Sequence, residues 1–344
     1  MPEAVSEVSD AGLTFRDVTD WYIPEDDGLD VLVYPGAIKA DGGLRATAHK
    51  LRDDAVWRHS QDTSNPRDWK AEYEGLTFRV HRQSTVGGTL YIFRKMSTEL
   101  PVLGKLGIPP ELVRILSWQN FGDSGGLVIV SGGPGQGKST TNAAILVERV
   151  RRFGYFCLTV EDPPEFAMHG EYPSRENRIG QVIQVPAKSE SFAHELKDAL
   201  RCYPSNMRGS MLMVGEVRDG QAAGHVLRAA VNGQLVFTTL HAGDPIAALE
   251  RMLALAKDSM GQEEACSLLA HSLRAVIHQK LQGGKLSVSS LLSMRANSSV
   301  AANIRRGALP QLSTELDQQK TLLARGNDSL INSLLEKNRT GAIT

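Results

Sequence analysis

The segment GLVIVSGGPGQGKSTT, residues 126–141, constrains the fold more than any other part of the chain. A short apolar run rich in Val and Ile predicts a buried strand, and a loop with four glycines follows it directly. The residues after the loop, STTNAAILVERV, are typical of a helix. A strand, a glycine-rich loop and a helix in this order predict an α/β domain with a mostly parallel sheet.

The loop itself fits the phosphate-binding pattern G-x-x-x-x-G-K-[ST] at residues 132–139. Glycines let backbone N–H groups turn inward around phosphate oxygens, and the following helix N-terminus adds the positive end of its dipole. A glycine-rich turn without a ligand fits the same letters, but the flanking strand and helix favour a nucleotide site. We therefore predict that ATP and Mg²⁺ bind here, with Lys138 on the β- and γ-phosphates and Ser139 on the metal. The predicted binding residues are Gly133, Pro134, Gly135, Gln136, Gly137, Lys138, Ser139 and Thr140.

Three more apolar runs of strand length follow along the chain: YFCLTVED, SMLMVGE and QLVFTTLH. Ligands of parallel sheets bind beyond the carboxyl ends of the strands, so the residues that end these runs are candidates for one common site. The candidates are Glu161, Asp162, Glu165, Glu216 and His241. One carboxylate can hold the water shell of Mg²⁺ and another can deprotonate the attacking water, while His241 can contact a γ-phosphate. The alternatives are solvated loop acids and a structural histidine.

The first part of the chain predicts a small α+β domain with one antiparallel sheet. GLTFRVHRQ and GGTLYIFRK have strand character and flank a turn at Gly87 and Gly88, and DVLVYPG predicts a short strand ending at Pro35 and Gly36. The stretch ELPVLGKLGIPP breaks this pattern. We accordingly predict an N-terminal domain at residues 1–100, a linker at 101–109, an ATPase core at 110–245 and a helical C-terminal part at 246–344.

In the predicted helical part, five apolar residues follow one another at helical spacing. They predict the buried face of a single helix, which packs into the core rather than forming a groove for a partner. These residues are Leu269, Leu273, Val276, Ile277 and Leu281.

Composition excludes several other classes of protein. The chain has 344 residues, of which 41% are hydrophobic and 22% are charged, and its formal net charge is −1. This charge gives no general basic field for nucleic acid or anionic lipid, so direct nucleic-acid binding is not expected. The start, MPEAVSEVSDAG, lacks the features of a signal peptide, and no apolar run is long enough to span a membrane. The three widely spaced cysteines are typical of reduced thiols, which favours a cytoplasmic location.

Four motifs in order resemble those of the secretion ATPases of type II and type IV systems, most closely the PilT-like pilus-retraction motors. GGPGQGKSTT resembles the Walker A box, and TVEDPPEF resembles the acidic box of the family. MLMVGEVRD resembles its Walker B box, and NGQLVFTTLHAGDP resembles its His box. The resemblance covers residues 75–344, and before residue 75 only DVLVYPG resembles the first strand of the family.

The resemblance implies a RecA-like P-loop NTPase domain, a small PAS-like α+β domain before it and a helical C-terminal region. It also implies a homohexameric ring on the cytoplasmic side of the inner membrane, held there by a platform or secretion-complex partner. Glu165 matches the catalytic base of the family, and Glu216 matches the Walker B glutamate near Mg²⁺. His241 matches the His-box histidine, and Arg94 matches an N-terminal-domain arginine that reaches the phosphates. A solvated strand position is the open alternative for Arg94.

The chain departs from the family pattern at three places. A second arginine of the N-terminal domain falls on Gly87, and Arg82 nearby is out of register with it. Gln234 stands where the family often has a histidine ahead of its last strand. In SVAANIRRG, which matches a helix of the retraction motors, Ala301 replaces the first arginine and Arg305 matches the second. These departures bear more on pilus retraction than on ATP hydrolysis.

The motifs favour a mechanical hexameric ATPase of a type IV pilus or of a type IV secretion or conjugation machine. Export of effectors or DNA, as in the related DotB-like and TraJ-like ATPases, is the main alternative. A regulatory nucleotide binder is disfavoured because Glu165 and Glu216 are both present. A phosphotransferase is disfavoured because the sequence shows neither an acceptor pocket nor a lid.

Overall fold

The computed structural model describes residues 13–34, 37–61, 67–97, 99–175, 177–187, 192–204, 209–294 and 297–340, the last six without their side chains. The chain forms two compact units. Unit 1 comprises Met1–Glu99 and Glu165–Ala167, and unit 2 comprises Leu100–Pro164 and Met168–Thr344. The predicted turn at Pro35 and Gly36 lies outside the described residues.

The described residues of unit 1 form one helix and a six-stranded antiparallel sheet in the order β3-β2-β1-β6-β5-β4. Strands β5 and β6 form the predicted hairpin, but its turn lies at Val86 and Gly87, because Gly88 is the first residue of β6 and pairs with Thr85. The PAS-like character of this unit stays a prediction. Its elements are β1 (Asp20–Pro24), β2 (Leu32–Tyr34), β3 (Ile38–Lys39), α1 (Gly42–His59), β4 (Asp68–Tyr73), β5 (Leu76–Thr85) and β6 (Gly88–Lys95).

The core of unit 1 follows from the two periodicities of its elements. Trp21 and Ile23 alternate with more exposed residues along β1 and are fully buried. On α1, the buried residues Leu44, Ala48 and Leu51 recur at helical spacing and belong to the same hydrophobic cluster. One apolar stripe of the helix and the alternate positions of the strands therefore close a single core.

Unit 2 is built on an eight-stranded mixed sheet in the order β14-β13-β7-β12-β11-β8-β10-β9. The elements that carry the sheet and the loops are α2 (Pro110–Leu116), β7 (Gly126–Ser131), α3 (Lys138–Phe153), β8 (Phe156–Glu161), β9 (Gly170–Pro173), β10 (Ile179–Pro186), α4 (Phe192–Ala199), β11 (Ser210–Val214), α5 (Gly220–Val231), β12 (Leu235–Leu240), α6 (Pro245–Met260), α7 (Gln262–Ser272), β13 (Leu273–Gln282) and β14 (Lys285–Leu292). Three further helices follow: α8 (Ser299–Arg305), α9 (Leu312–Arg325) and α10 (Ser329–Thr340).

The four apolar runs form adjacent parallel strands at the centre of this sheet, as the sequence predicts. β12 pairs with β7 on one side and with β11 on the other, and β11 pairs with β8. Every residue of β7, β8 and β12 is buried. Strands covered on both faces carry continuous apolar residues, which is why these runs were recognisable without alternation. The four carboxyl ends meet at one edge of the sheet.

The single helix predicted from the spacing of Leu269 to Leu281 is wrong. Helix α7 ends at Ser272, and the next ten residues form β13, which is parallel to β7 and antiparallel to β14. Because β13 is buried on both faces over most of its length, its apolar residues are not restricted to alternate positions, and they imitate helical spacing. In the described part of the predicted helical region, the elements other than the β13–β14 hairpin are helices. The finer division into linker, core and C-terminal part stays a prediction.

Among the described residues, we find no helix with both the length and the apolar content needed to cross a bilayer. The three cysteines are free thiols; Cys157 and Cys266 are buried and Cys202 is exposed.

Candidate active site

The edge where β7, β12, β11 and β8 end carries the polar residues of unit 2 that the sequence singled out. The phosphate loop follows β7, and His241 follows β12. Glu216 follows β11, and Asp162 follows β8. Because the strands are adjacent and parallel, side chains separated by up to about a hundred residues along the chain reach the same edge.

The phosphate loop has the backbone that an anion requires. Gly135 and Gly137 have φ of 68° and 76°, values that side-chain-bearing residues rarely adopt. Helix α3 begins at Lys138, and among the described residues no side chain caps its N-terminus. The N–H groups of the first turn, which include those of Ser139 and Thr140, therefore point out of the helix towards the loop. This geometry fits a phosphate group.

Lys138 is held inside this loop, and only 8% of its surface is exposed. Its Nζ donates a hydrogen bond of 2.8 Å to the carbonyl of Gly133 and lies 3.4 Å from Nδ1 of His241. The ammonium group is thus placed at the mouth of the loop rather than extended into solvent. The arrangement brings the first and the fourth predicted motif together.

Two further contacts continue this series of polar side chains across the edge. Oε1 of Glu216 lies 3.6 Å from Nε2 of His241, a distance for electrostatic attraction rather than for a hydrogen bond. Arg218 donates from Nε to Glu216 over 3.1 Å and from its guanidinium to Asp162 over 3.3 Å. Lys138, His241, Glu216, Arg218 and Asp162 therefore form one continuous series, with members from all four segments.

Two acids of the same motifs have structural roles. Asp219 caps α5 by accepting a hydrogen bond of 2.8 Å from the backbone of Ala222. Asp244 caps α6 in the same way through Ala247. Such caps each stabilise a helix by about 1 kcal/mol, so these carboxylates fix the loops that carry Glu216 and His241.

Glu161, another candidate acid, is the last residue of β8 and only 3% exposed. Its Oε1 accepts a hydrogen bond of 3.2 Å from Nε2 of Gln184. The side-chain Oε1 of Gln184 accepts in turn from the backbone N–H groups of Met168 and His169. Glu161 thus takes part in fixing the chain just after the acidic motif.

Glu165 and Arg94 belong to unit 1, so the polar series of unit 2 does not include them. Glu165 is exposed. Arg94 donates from Nε to Asp20 over 2.5 Å, and this hydrogen bond raises the pKa of Arg94, with a smaller contribution from the charge of Glu165. Their catalytic roles stay predictions.

A magnesium ion fits this edge only together with phosphate. Among the described residues, no group of three His, Cys, Asp or Glu side chains could hold a metal ion. Ser139 and Glu216 supply hard oxygen ligands, and Mg²⁺ commonly takes one or two protein ligands while substrate phosphates and water complete its shell.

The positions that depart from the family pattern have different surroundings. Gly87 is exposed in the turn between β5 and β6. Gln234 directly precedes β12, and its carbonyl accepts a hydrogen bond from Gly126. Ala301 is completely buried in the core of unit 2, and Arg305 is exposed at the end of α8. An arginine at 301 would not fit this core without rearrangement.

Sequence reasoning missed Arg218, although it lies two residues after Glu216. The available signal was a cation next to two acids at a strand end, where its charge can balance carboxylates.

Comparison with known families identifies relatives of this chain. The sequence model of the family described as type II/IV secretion system protein matches residues 69–306. A twitching motility protein of Neisseria gonorrhoeae is 32% identical over 270 residues, which cover 77% of this chain and 67% of that protein. The matched segment covers 67%, 65% and 62% of the length of three curated relatives, and only 27% to 34% of the type II secretion system E proteins that it also matches.

Solved structures show the same fold. The crystal structure of the pilus retraction motor PilT with bound ADP aligns with a TM-score of 0.68 and 24% identity, covering 92% of each chain. The ATPase DotB of Legionella pneumophila aligns with a TM-score of 0.63 and 20% identity, covering 94% of this chain and 90% of that one.

Proposed function

Because this chain belongs to the type II/IV secretion system protein family and is an ATPase, we propose that it converts ATP hydrolysis into mechanical work for a type IV pilus or a type IV secretion machine. The observation that carries the proposal is the series Lys138–His241–Glu216–Arg218–Asp162. A cation from the phosphate loop and carboxylates from two other strand ends are among the parts that phosphoryl transfer uses, and His241 lies between them.

The phosphate loop binds the nucleotide in this proposal. Backbone N–H groups of residues 133 and 135–140 surround the phosphates, and Lys138 exchanges the carbonyl of Gly133 for a phosphate oxygen. Ser139 and Glu216 would hold Mg²⁺, which would neutralise negative charge on the phosphates. Lys138 is already beside the loop mouth, so this binding needs only a small movement of its ammonium group.

Hydrolysis needs a base and stabilisation of developing charge. By resemblance to the family, Glu165 accepts the proton of the attacking water, and Arg94 of a neighbouring subunit stabilises the negative charge of the transition state. His241, held next to Lys138 and Glu216, contacts the γ-phosphate and distinguishes ATP from ADP. Arg94 must then exchange Asp20 for phosphate, because the two form an ion pair in the protein alone.

Mechanical work follows from different affinities of two subunit arrangements for ATP and ADP. We propose a homohexameric ring in which loss of the γ-phosphate removes contacts that hold the closed arrangement. The ring passes this movement to a membrane-embedded platform or secretion-complex partner at the cytoplasmic face of the inner membrane. The proposal includes no direct contact between this protein and nucleic acid.

Export of effectors or DNA is the second candidate, and one observation favours it over pilus retraction. At the position where retraction motors carry the first of two arginines, this chain has the fully buried Ala301. That position cannot present a charge to a partner.

A complementation experiment tests the proposal. A strain without the gene receives either the wild-type gene or the Lys138→Ala variant, and pilus retraction and secretion are measured in both. We expect the wild type alone to restore one of the two processes. Restoration of that same process by Lys138→Ala would contradict ATP-driven work. Sedimentation of the purified protein with ATP tests the ring, and a monomer at micromolar concentration would contradict it.

A further inference from the structure

Strand β13 carries two polar residues in the middle of an apolar run, next to the strand that leads into the phosphate loop. His278 pairs with Ser131 in the register of β13 and β7, and Gln279 follows it. Gln279 is 1% exposed. Burying an amide costs free energy unless its hydrogen bonds are made, so its partners explain its position.

The amide of Gln279 bonds to the phosphate loop and to the helix after it. Thr141, in the first turn of α3, donates to Oε1 of Gln279 over 2.8 Å. Nε2 of Gln279 donates to the carbonyl of Gln136 over 2.5 Å. Since a carbonyl can only accept, the amide orientation follows from these partners.

The side chain of Gln136 also forms a hydrogen bond with β13. Its Oε1 accepts a hydrogen bond of 2.5 Å from the backbone N–H of Leu281, two residues after Gln279. The side chains of Gln279 and Gln136 thus each form a hydrogen bond with the backbone of the other segment. We call these three hydrogen bonds the glutamine clamp.

The backbone of the loop also approaches the backbone of β13 closely. A Cβ atom on Gly132 would lie 2.5 Å from the carbonyl oxygen of Gln279, so only glycine fits there. Gln279 of β13 therefore lies against the start of the loop at Gly132 and bonds to the loop again at Gln136.

We propose that Gln279 is a positioning residue for nucleotide binding, which acts by holding the phosphate loop in its binding conformation before the nucleotide arrives. A loop with four glycines has many conformations, and fixing them in advance lowers the entropy that binding must remove. Gln279 does not touch the nucleotide. The inference rests on the proposed phosphate role of the loop.

The chain supplies a matched control. Gln319 on α9 is 7% exposed and makes a similar amide clamp on the other strand of the hairpin. Its amide accepts from the N–H of Leu292 over 2.7 Å and donates to the carbonyl of Leu292 over 2.9 Å. Replacing Gln319 removes a buried amide without removing the glutamine clamp.

The experiment measures ADP affinity by titration calorimetry, KM and kcat for ATP by phosphate release, and thermal unfolding without nucleotide, for Gln279→Glu, Gln279→Leu and Gln319→Leu. The carboxylate of Gln279→Glu still accepts from Thr141 but cannot donate to Gln136. We expect both changes at 279 to weaken ADP binding by about tenfold to a hundredfold, with a raised KM and a smaller change in kcat. Gln319→Leu is expected to lower Tm while its ADP affinity stays within about twofold of wild type.

ADP binding by folded Gln279→Glu within twofold of wild type would overturn the inference. A loss of affinity in Gln319→Leu equal to that in Gln279→Leu would also overturn it, because the effect would then be general destabilisation. Lys138→Ala separates this inference from the proposed function. Normal ADP affinity in Lys138→Ala would show that the proposed phosphate site is wrong. Normal ADP affinity in Gln279→Glu, with weakened affinity in Lys138→Ala, would leave the phosphate site intact and overturn only the positioning role of Gln279.

Discussion

Nζ of Lys138 lies 3.4 Å from Nδ1 of His241. Nε2 of the same ring lies 3.6 Å from Oε1 of Glu216, so the imidazole stands between the loop cation and a carboxylate. In the proposed function, a phosphate oxygen replaces His241 as a neighbour of the Lys138 ammonium group, and the ring of His241 then contacts the γ-phosphate.

Replacing His241 tests this exchange. We expect His241→Gln to lower ATP turnover by about tenfold to a hundredfold, because a contact that strengthens in the transition state is lost. ADP affinity should change little. Phosphate release and ADP titration measure the two quantities. His194→Gln, whose side chain is 72% exposed on α4, is the control and should match wild type. Equal turnover in His241→Gln and wild type would exclude a role for His241.

Replacing Glu216 with glutamine removes the negative charge between Arg218 and His241 and turns one of the two acceptor oxygens into a donor. We predict that Glu216→Gln lowers turnover by about a hundredfold to a thousandfold, since charge that stabilises the reacting phosphate and its metal is lost. Glu264→Gln, which changes an exposed carboxylate paired with Arg228, is the matched control. Turnover above a tenth of wild type in Glu216→Gln would argue against its placement at the metal.

Replacing Arg149 tests the fold of unit 2 rather than its chemistry. This buried side chain donates to the carbonyls of Leu116, Trp118, Gln119 and Phe121, and burial lowers its pKa to about 10. Arg149→Met leaves these carbonyls without their donor, so we expect a loss of about 3 kcal/mol or more in the free energy of unfolding. Denaturant titration measures it.

Arg152→Met is the control for Arg149. Arg152 lies on the same helix with a more exposed side chain, and its ion pair with Glu148 has a distance of 4.0 Å. Arg152→Met should lower the free energy of unfolding by less than about 1 kcal/mol. Similar losses for the two variants would contradict the assigned role of Arg149.

The stability of the protein should depend on pH through His278. Burial lowers the pKa of His278, so the folded state binds its proton less readily than the unfolded state does. The stabilising contribution is therefore present above the ordinary pKa of about 6.5 and is lost as pH falls below it. His278→Asn, which can keep a bond to Ser131, should lose less stability than wild type between pH 7.5 and 5.5.

His225 contributes to the same dependence, because burial also lowers its pKa. Part of the pH effect should therefore remain in His278→Asn. Thermal unfolding at several pH values measures the difference, and identical curves for the two proteins would contradict the prediction.

Much of the nucleotide-binding fold could be predicted because its strands are buried on both faces. Their apolar runs stand out without any knowledge of partners, and each ends in residues that the sheet brings to one edge. The same continuous burial caused the error at residues 273–281. Periodicity alone does not distinguish a short buried strand from a helix, and the tertiary position of β13 beside β7 decided the outcome.

The candidate site was predictable only in part. Lys138, Glu216 and His241 have local patterns that point to their chemistry. Gln279 has none, since its role depends on Gln136 and Thr141, which lie more than a hundred residues earlier. Long-range hydrogen bonds of buried amides leave no periodic signal in a single sequence.

In the proposed function, Glu165 is the base that activates water for ATP hydrolysis. Phosphate release by Glu165→Gln tests this role, with ATP affinity measured on the same sample. We expect ATP affinity within a fewfold of wild type and turnover reduced at least about a hundredfold, because an amide cannot accept the proton. Normal turnover with normal ATP binding in Glu165→Gln would contradict it.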